Sequence, residues 1–272
     1  MLRSMYSGIS GLKNFQNKLD VVANNIANVN TFGFKKGRMT FKDAISQTMA
    51  TASAGVAGDR GGTNPMQVGL GSEIASIDTV HTEGSLQTTG RLLDLAISGG
   101  DGYFVVSDGE RIFYTRAGNF YLDNQGFLVN ADGLRVQAYD PVGNALAGDI
   151  QITDYANVAG ISISQNGEII VQNNDNTLRP TIHIALARFN NAEGLHKEGG
   201  NLFSQSQNTG DPIYGTGGGA FGTINSGKLE MSNVDLSEEF TEMIVSQRGF
   251  QANARIITTS DEILQELVNL KR

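Results

Sequence analysis

Residues 236–268 read LSEEFTEMIVSQRGFQANARIITTSDEILQELV. Leu236, Phe240, Met243, Gln247, Phe250, Ala254, Ile257, Asp261, Leu264 and Val268 fall at alternating steps of three and four. That is the heptad spacing by which one helix packs along another. The opposite end repeats it over residues 2–30, with Leu2, Met5, Ile9, Leu12, Gln16, Leu19, Ala23 and Ile26. Each helix would be on the order of 40–50 Å long. Gly8, Gly11 and Gly249 weaken the two helices by roughly 1 kcal/mol each relative to alanine. Both are therefore expected to order fully only against a partner. Asp235, with Glu238 three residues on, has the form of a capping box at the start of the second helix.

Charge favours the same pairing. The chain carries a net −8, but residues 1–42 hold +6, residues 229–272 hold −4 and the stretch between them −10. Oppositely charged ends favour each other as helix partners. The acidic total argues against a nucleic-acid binder. The absence of cysteine excludes disulfides, a thiol nucleophile and a thiolate metal site. No apolar run approaches the ~18 residues of a transmembrane helix. Arg3, Ser4, Ser7, Gly8, Ser10 and Gly11 interrupt the N-terminal stretch, so neither membrane insertion nor a cleaved signal peptide is expected.

Between the two ends the pattern changes. Residues 24–31 are rich in Asn and Thr, which favour a cap or turn over helix, and Gly33 is expected to end the first element with Phe32 and Phe34 anchoring the exit. Residues 36–72 read as an extended arm and connector, residues 39–50 as a short helix or an extended stretch, and residues 51–72 as rich in Gly, Ala, Ser and Thr. From residue 73 the period becomes that of strands. Turn glycines at 109, 118, 126 and 133 suit an antiparallel meander, and Asn166-Gly167 between alternating runs is a hairpin signal. The expected fold is α+β: long terminal helices (residues 1–35 and 231–272) paired as a coiled-coil layer, a mainly antiparallel β domain over 73–205 with a possible subdivision near 141, and a second Gly-rich connector over 206–230.

Chemistry-bearing motifs are weak. Residues 217–222 satisfy G-x-G-x-x-G, but no strand precedes them and no helix opens on them, so a linker is the better reading. Residues 222–229 nearly match a phosphate-binding loop, yet Leu229 occupies the position that must be Ser or Thr. His81, His183 and His196 have no ligand or base partner at local spacing, and His183, alternating with Ile182 and Ile184, is expected to face solvent. No catalytic residue, cofactor or metal is expected.

Four stretches do agree with one another: Asn24-Asn25-Ile26-Ala27-Asn28-Val29-Asn30-Thr31-Phe32-Gly33-Phe34-Lys35, residues 89–98, residues 114–120 and residues 243–248. In this order they resemble the bacterial flagellar rod and hook protein family. Asn24, Asn25, Ile26, Ala27, Asn28, Gly33 and Phe34 carry its N-terminal motif. The resemblance implies a structural subunit that self-assembles into the hollow tube of the flagellar hook and transmits motor torque. It also implies homopolymer contacts through Leu2, Met5, Ile9, Leu12, Leu19, Ile26, Leu236, Phe240, Met243, Phe250, Ile257, Leu264 and Val268. Implied partners are rod, hook-cap and hook–filament junction proteins and the export apparatus. The chain lacks room for the large outer domain of many hook proteins and is nearer in length to the distal rod protein, the second reading. The ending over residues 263–270 looks more hook-like. A secreted β-rich binding module with helical tails is the alternative from another class.

Overall fold

The computed structural model describes residues 2–55, 61–143, 145–153, 158–175, 177 and 179–270. They form an α+β chain whose large sheet is built from antiparallel strand pairs. The chain divides into two compact units, one of residues 1–27, 37–78 and 235–272 and one of residues 28–36 and 79–234.

The first unit holds α1 (Leu2–Ala27), α2 (Leu236–Leu270), β1 (Gly37–Asp43), β2 (Ser46–Ala50), β3 (Met66–Gly69) and β4 (Ser72–Thr79). Strand β1 pairs with β4, and β2 with β3. Residues 39–50 are thus strand where a short helix or extended stretch was expected. Helix α1 ends at Ala27, before Gly33, because the Asn-rich run that follows offers side-chain competitors for the backbone. The two helices run antiparallel. Asn25 meets Glu239, Lys18 meets Glu242, Phe15 meets Gly249, and Gly8 meets Ile257. The line of contact on α1 is therefore Gly8, Gly11, Phe15, Lys18 and Asn25, beside the apolar series read from the sequence. Glycine explains the offset. A Cβ at Gly249 would sit 2.6 Å from the Phe15 ring, and one at Gly11 would sit 2.9 Å from Asn253. The helix-weakening glycines are where the two backbones come close.

The second unit begins with β5 (Leu86–Thr88), β6 (Leu95–Ser98), β7 (Tyr103–Ser107), β8 (Ile112–Thr115), β9 (Tyr121–Leu122) and β10 (Leu128–Val129). It continues through β11 (Arg135–Asp140), β12 (Ala145–Asp149), β13 (Val158–Ile163), β14 (Glu168–Asn173), β15 (Ile182–Ile184) and β16 (Leu186–Arg188). Last come β17 (His196–Gly199), β18 (Leu202–Ser204), β19 (Ile213–Gly215), β20 (Thr223–Ser226) and β21 (Lys228–Glu230). Among the described residues thirteen strands join one sheet: eight lie along the path β13-β14-β15-β11-β7-β8-β18-β17, and β9, β10, β12, β16 and β19 pair off it. The hairpin at Asn166-Gly167 forms as expected, with Ile163 opposite Ile169.

Strand β7 is buried along its whole length. Phe104 and Val106 join Val136, Ile184 and Leu186 in one core on one side, while Tyr103 and Val105 join Tyr139, Ala185 and Ala187 in another. A strand covered on both faces needs a continuous apolar run, and Tyr103-Phe104-Val105-Val106 supplies it. The stretch read as a second connector carries β19, β20 and β21, with Ile224 and Leu229 buried. Strand β20 pairs with β6, and β21 with β5, so strands distant in sequence take up its backbone bonds. His183, expected to face solvent, is half-buried between β11 and β14.

Gly118 departs from the turn role expected of it. A Cβ there would lie 1.7 Å from the Leu95 carbonyl oxygen, the same oxygen-bearing segment whose N–H donates back to the Gly118 carbonyl at 2.9 Å. Backbone cannot yield as a side-chain tip can. Gly118→Ala should therefore destabilise the β unit by about 2–4 kcal/mol. Urea unfolding checks this, and an unchanged midpoint would contradict it.

Candidate assembly site

The terminal helices leave much of their apolar surface uncovered within the chain. On α1, Ile9 is exposed and Met5, Leu12, Leu19 and Ile26 are half-buried; the side chain of Leu2 lies outside the described residues. On α2, Leu236, Phe240 and Val268 are exposed, and Met243, Phe250, Ile257 and Leu264 are half-buried. Along the line where the helices meet, the buried residues are one apolar side chain, Val22, and the polar Asn25, Glu239 and Ser246, with the Phe15 ring over Gly249 and Ile257 against Gly8. Lys18 and Glu242 form an ion pair at 3.1 Å. The cap expected at residue 235 is present, with Asp235 Oδ1 accepting from the Ser237 N–H at 2.8 Å.

The Asn-rich motif divides its work. In the helical unit, Asn24 is exposed, Ile26 half-buried and Ala27 closes α1, while Asn25 is buried and holds three partners. Its Nδ2 donates to the Gly37 carbonyl at 2.9 Å and to Glu239 Oε2 at 3.0 Å; its Oδ1 accepts from the Gly37 N–H at 2.9 Å. The turn from Ala27 into β1 is thereby tied to α2. In the β unit, Asn28 accepts from the Thr31 hydroxyl at 3.1 Å, the Gly33 N–H donates to the Glu230 carbonyl at 2.8 Å, and Phe34 is buried beneath the Lys197 ammonium, 5.0 Å from its ring centroid.

Behind Phe34 lies an ionic cluster that motif reading missed. Lys35 Nζ reaches Glu230 Oε1 at 2.5 Å, with both side chains fully buried. Arg116 Nη1 reaches Glu230 Oε2 at 3.2 Å and its Nη2 donates to the Gly100 carbonyl at 2.6 Å. Lys35 also donates to the Thr82 carbonyl at 2.7 Å, and the Gly84 N–H donates to Glu230 Oε1 at 3.1 Å. One carboxylate thus binds residues 28–36, β21 and the residue that follows β8 together. The Arg116 guanidinium lies 5.2 Å from the Tyr103 ring, and the Tyr103 hydroxyl shares a 2.7 Å hydrogen bond with His81 Nδ1. Burial holds the Lys35 ammonium below its usual range; the Glu230 charge works against that shift and the Arg116 charge with it. Burial first, then the Lys35, Lys197 and Arg116 charges, push His81 down to about 4. Both Lys35 and Arg116 fall inside sequence stretches singled out above, and that placement was the one available signal. Residues 222–229 form β20, a turn and β21, with no helix opening on them, so the near match to a phosphate loop carries no phosphate site.

Three family descriptions match in chain order. Residues 5–35 match "Flagella basal body rod protein", residues 96–185 "Flagellar hook protein FlgE/F/G D1 domain", and residues 225–270 "Flagellar basal body rod FlgEFG protein C-terminal". The chain is 55% identical over 274 residues to the flagellar basal-body rod protein FlgG of Bacillus subtilis, covering 100% of both. The chain belongs to the flagellar rod and hook protein family. It is also 34% identical over a 443-residue alignment to the flagellar hook protein FlgE of Borreliella burgdorferi, and 36% identical over 276 residues to FlgG of the same organism, with 100% of each chain covered. The family is one of structural flagellar subunits and not of enzymes.

His81 gives the cluster a pH dependence of defined sign. Above pH 6.5 it is neutral in the folded and unfolded chain alike. Between 6.5 and about 4 only the unfolded chain takes the proton, so stability falls as pH falls through that window. The loss should be on the order of 2–3 kcal/mol. Urea midpoints at pH 7 and pH 4.5 should separate for the native chain and draw together for His81→Gln; equal separation in both would contradict the assignment.

Proposed function

We infer that this chain is a distal rod subunit of the bacterial flagellum, self-assembling with identical copies into a hollow, torque-transmitting tube. The observation that carries the reading is the end-to-end match to FlgG of Bacillus subtilis, 274 aligned residues for a chain of 272. The hook relatives need alignments of 443 and 465 residues, so they hold long segments this chain lacks. The rod reading, second in the sequence analysis, therefore stands ahead of the hook reading.

The mechanism follows from the helix surfaces. The in-chain contact, built from glycine, Val22, Phe15, Ile257, Asn25, Ser246 and the Lys18–Glu242 pair, covers only part of the helices' apolar surface. The apolar positions beside it are left for other copies: Ile9, Phe240 and Val268, with the half-buried Met5, Leu12, Leu19, Ile26, Met243, Phe250 and Leu264, whereas Ile257 lies against Gly8 of its own chain. Burying one such side chain fully contributes about 1.5–3 kcal/mol. A coiled-coil layer of residues 1–35 and 231–272 would then carry the β domain, with a heterologous contact that does not close on itself generating the tube. Coupled folding and assembly keeps monomers from associating before they reach the growing end. The other proposed partners are neighbouring rod, hook, hook-cap and hook–filament junction proteins and the flagellar export apparatus.

Electron microscopy of basal bodies from a strain lacking this chain tests the reading. A rod that stops short is expected. A complete rod lacking only its hook would return the hook reading to first place, and intact flagella would overturn both.

A further inference from the structure

Helix α2 outruns its partner. Gly8 of α1 lies against Asn253, Ile256 and Ile257, which leaves six residues of α1 before it and thirteen of α2 after Ile257, as far as Leu270. At 1.5 Å per residue α2 projects about 10 Å past the start of α1. Along the shared length the α1-facing side of α2 sets polar or small residues, Glu239, Ser246, Gly249, Asn253 and Ser260, around Ile257. Over the projection the same side turns apolar, with Ile263, Leu264, Leu267 and Val268. Val268 is 65% exposed and Leu270 82%. Among the described residues the contact stripe thus continues for two turns with no helix of its own chain against it, and its apolar residues are largely exposed there.

The first turns of α1 offer a matching surface on the face turned away from α2. Tyr6 is 68% exposed, and Ile9 is exposed one turn on. Arg3 and Lys13 flank them, both exposed and in no ion pair within the chain among the described residues. The projecting end of α2 has the complementary rim, Glu262 and Glu266, likewise exposed and in no such pair. Each surface is about two to three turns long, with an apolar centre and a rim of one sign.

We propose that the projecting end of α2, residues 262–270, docks on the Arg3–Tyr6–Ile9–Lys13 face of α1 in a second copy of this chain. Ile263 and Leu267 pack against Tyr6 and Ile9, and Glu262 and Glu266 lie by Arg3 and Lys13. The contact uses different patches on the two copies, so each copy still offers a free end of both kinds and the array extends. This rests on the assembly reading above and adds to it the segment that joins one copy to the next.

The chain has no cysteine, which makes the test clean. Basal bodies are isolated from cells whose only copy carries Tyr6→Cys and Leu267→Cys, oxidised, and run without reductant. The expected result is a ladder of disulfide-linked multimers holding most of the chain, absent from either single variant. Complete rods in which the double variant stays monomeric would overturn the docking while leaving the assembly reading intact. Absence of the native chain from isolated basal bodies would instead overturn the assembly reading. Should the cysteine variant not assemble, charge reversal decides: Glu262→Arg with Glu266→Arg should abolish rods, and adding Arg3→Glu with Lys13→Glu should restore them. Failure of the fourfold variant to restore rods, or normal rods from the first pair alone, would overturn the docking.

Discussion

The Glu230 carboxylate, closed off from water between Lys35 and Arg116, sets the terms for the β unit. Two cations and one anion are removed from solvent there, and the Coulombic gain repays desolvation only when the geometry is complete. The Thr82 and Gly100 carbonyls and the Gly84 N–H take up further bonds of the cluster, while the buried Arg116 Nε is left without a partner among the described residues. Those partners lie on two further stretches of chain, residues 82–84 and the turn at Gly100, so satisfying one carboxylate fixes several backbones at once. Asn233 extends the arrangement, accepting from the Lys36 N–H at 2.8 Å and donating to the Val80 carbonyl at 2.8 Å. The segment that follows α1 and the segment that precedes α2 are both held in this way. The cluster adds specificity of arrangement more than net stability, while the apolar cores on both faces of β7 supply the bulk of the burial.

The helical unit shows the opposite economy. Its in-chain contact combines the apolar Val22, Phe15 and Ile257 with the Asn25–Glu239 and Lys18–Glu242 pairs and close glycine contacts, while Ile9, Phe240 and Val268 remain exposed. In the proposed assembly those exposed side chains are the ones left for other copies. The same logic accounts for Gly249, costly in an isolated helix and needed here for the Phe15 ring.

Much of this was legible in the sequence, and the misses have physical causes. Heptad spacing located both helices, because periodicity of three and four survives any partner choice. It did not say which of two adjacent stripes faces the chain's own second helix, since glycine and asparagine carry no hydrophobic signal. Asp108-Gly109 and Asn166-Gly167 marked hairpins through local turn chemistry. Gly118 resembled another turn, but its role is set by Leu95, a long-range neighbour no local pattern reveals. Strands β19 to β21 were masked by glycine and by shortness. The Lys35–Glu230 pair joins residues 195 positions apart, and neither residue differs in type from a solvated surface charge. The choice of rod over hook came from whole-chain comparison, because the motifs that identify the family are common to both.

The central claim is that Lys35 and Glu230 act as one buried unit. A double-mutant cycle of Lys35→Met and Glu230→Gln, read by urea unfolding, measures it. Each single variant should lose about 3–5 kcal/mol, and the double variant should lose at least about 2 kcal/mol less than their sum. Strictly additive losses would show that the two charges are stabilised independently and would contradict the account.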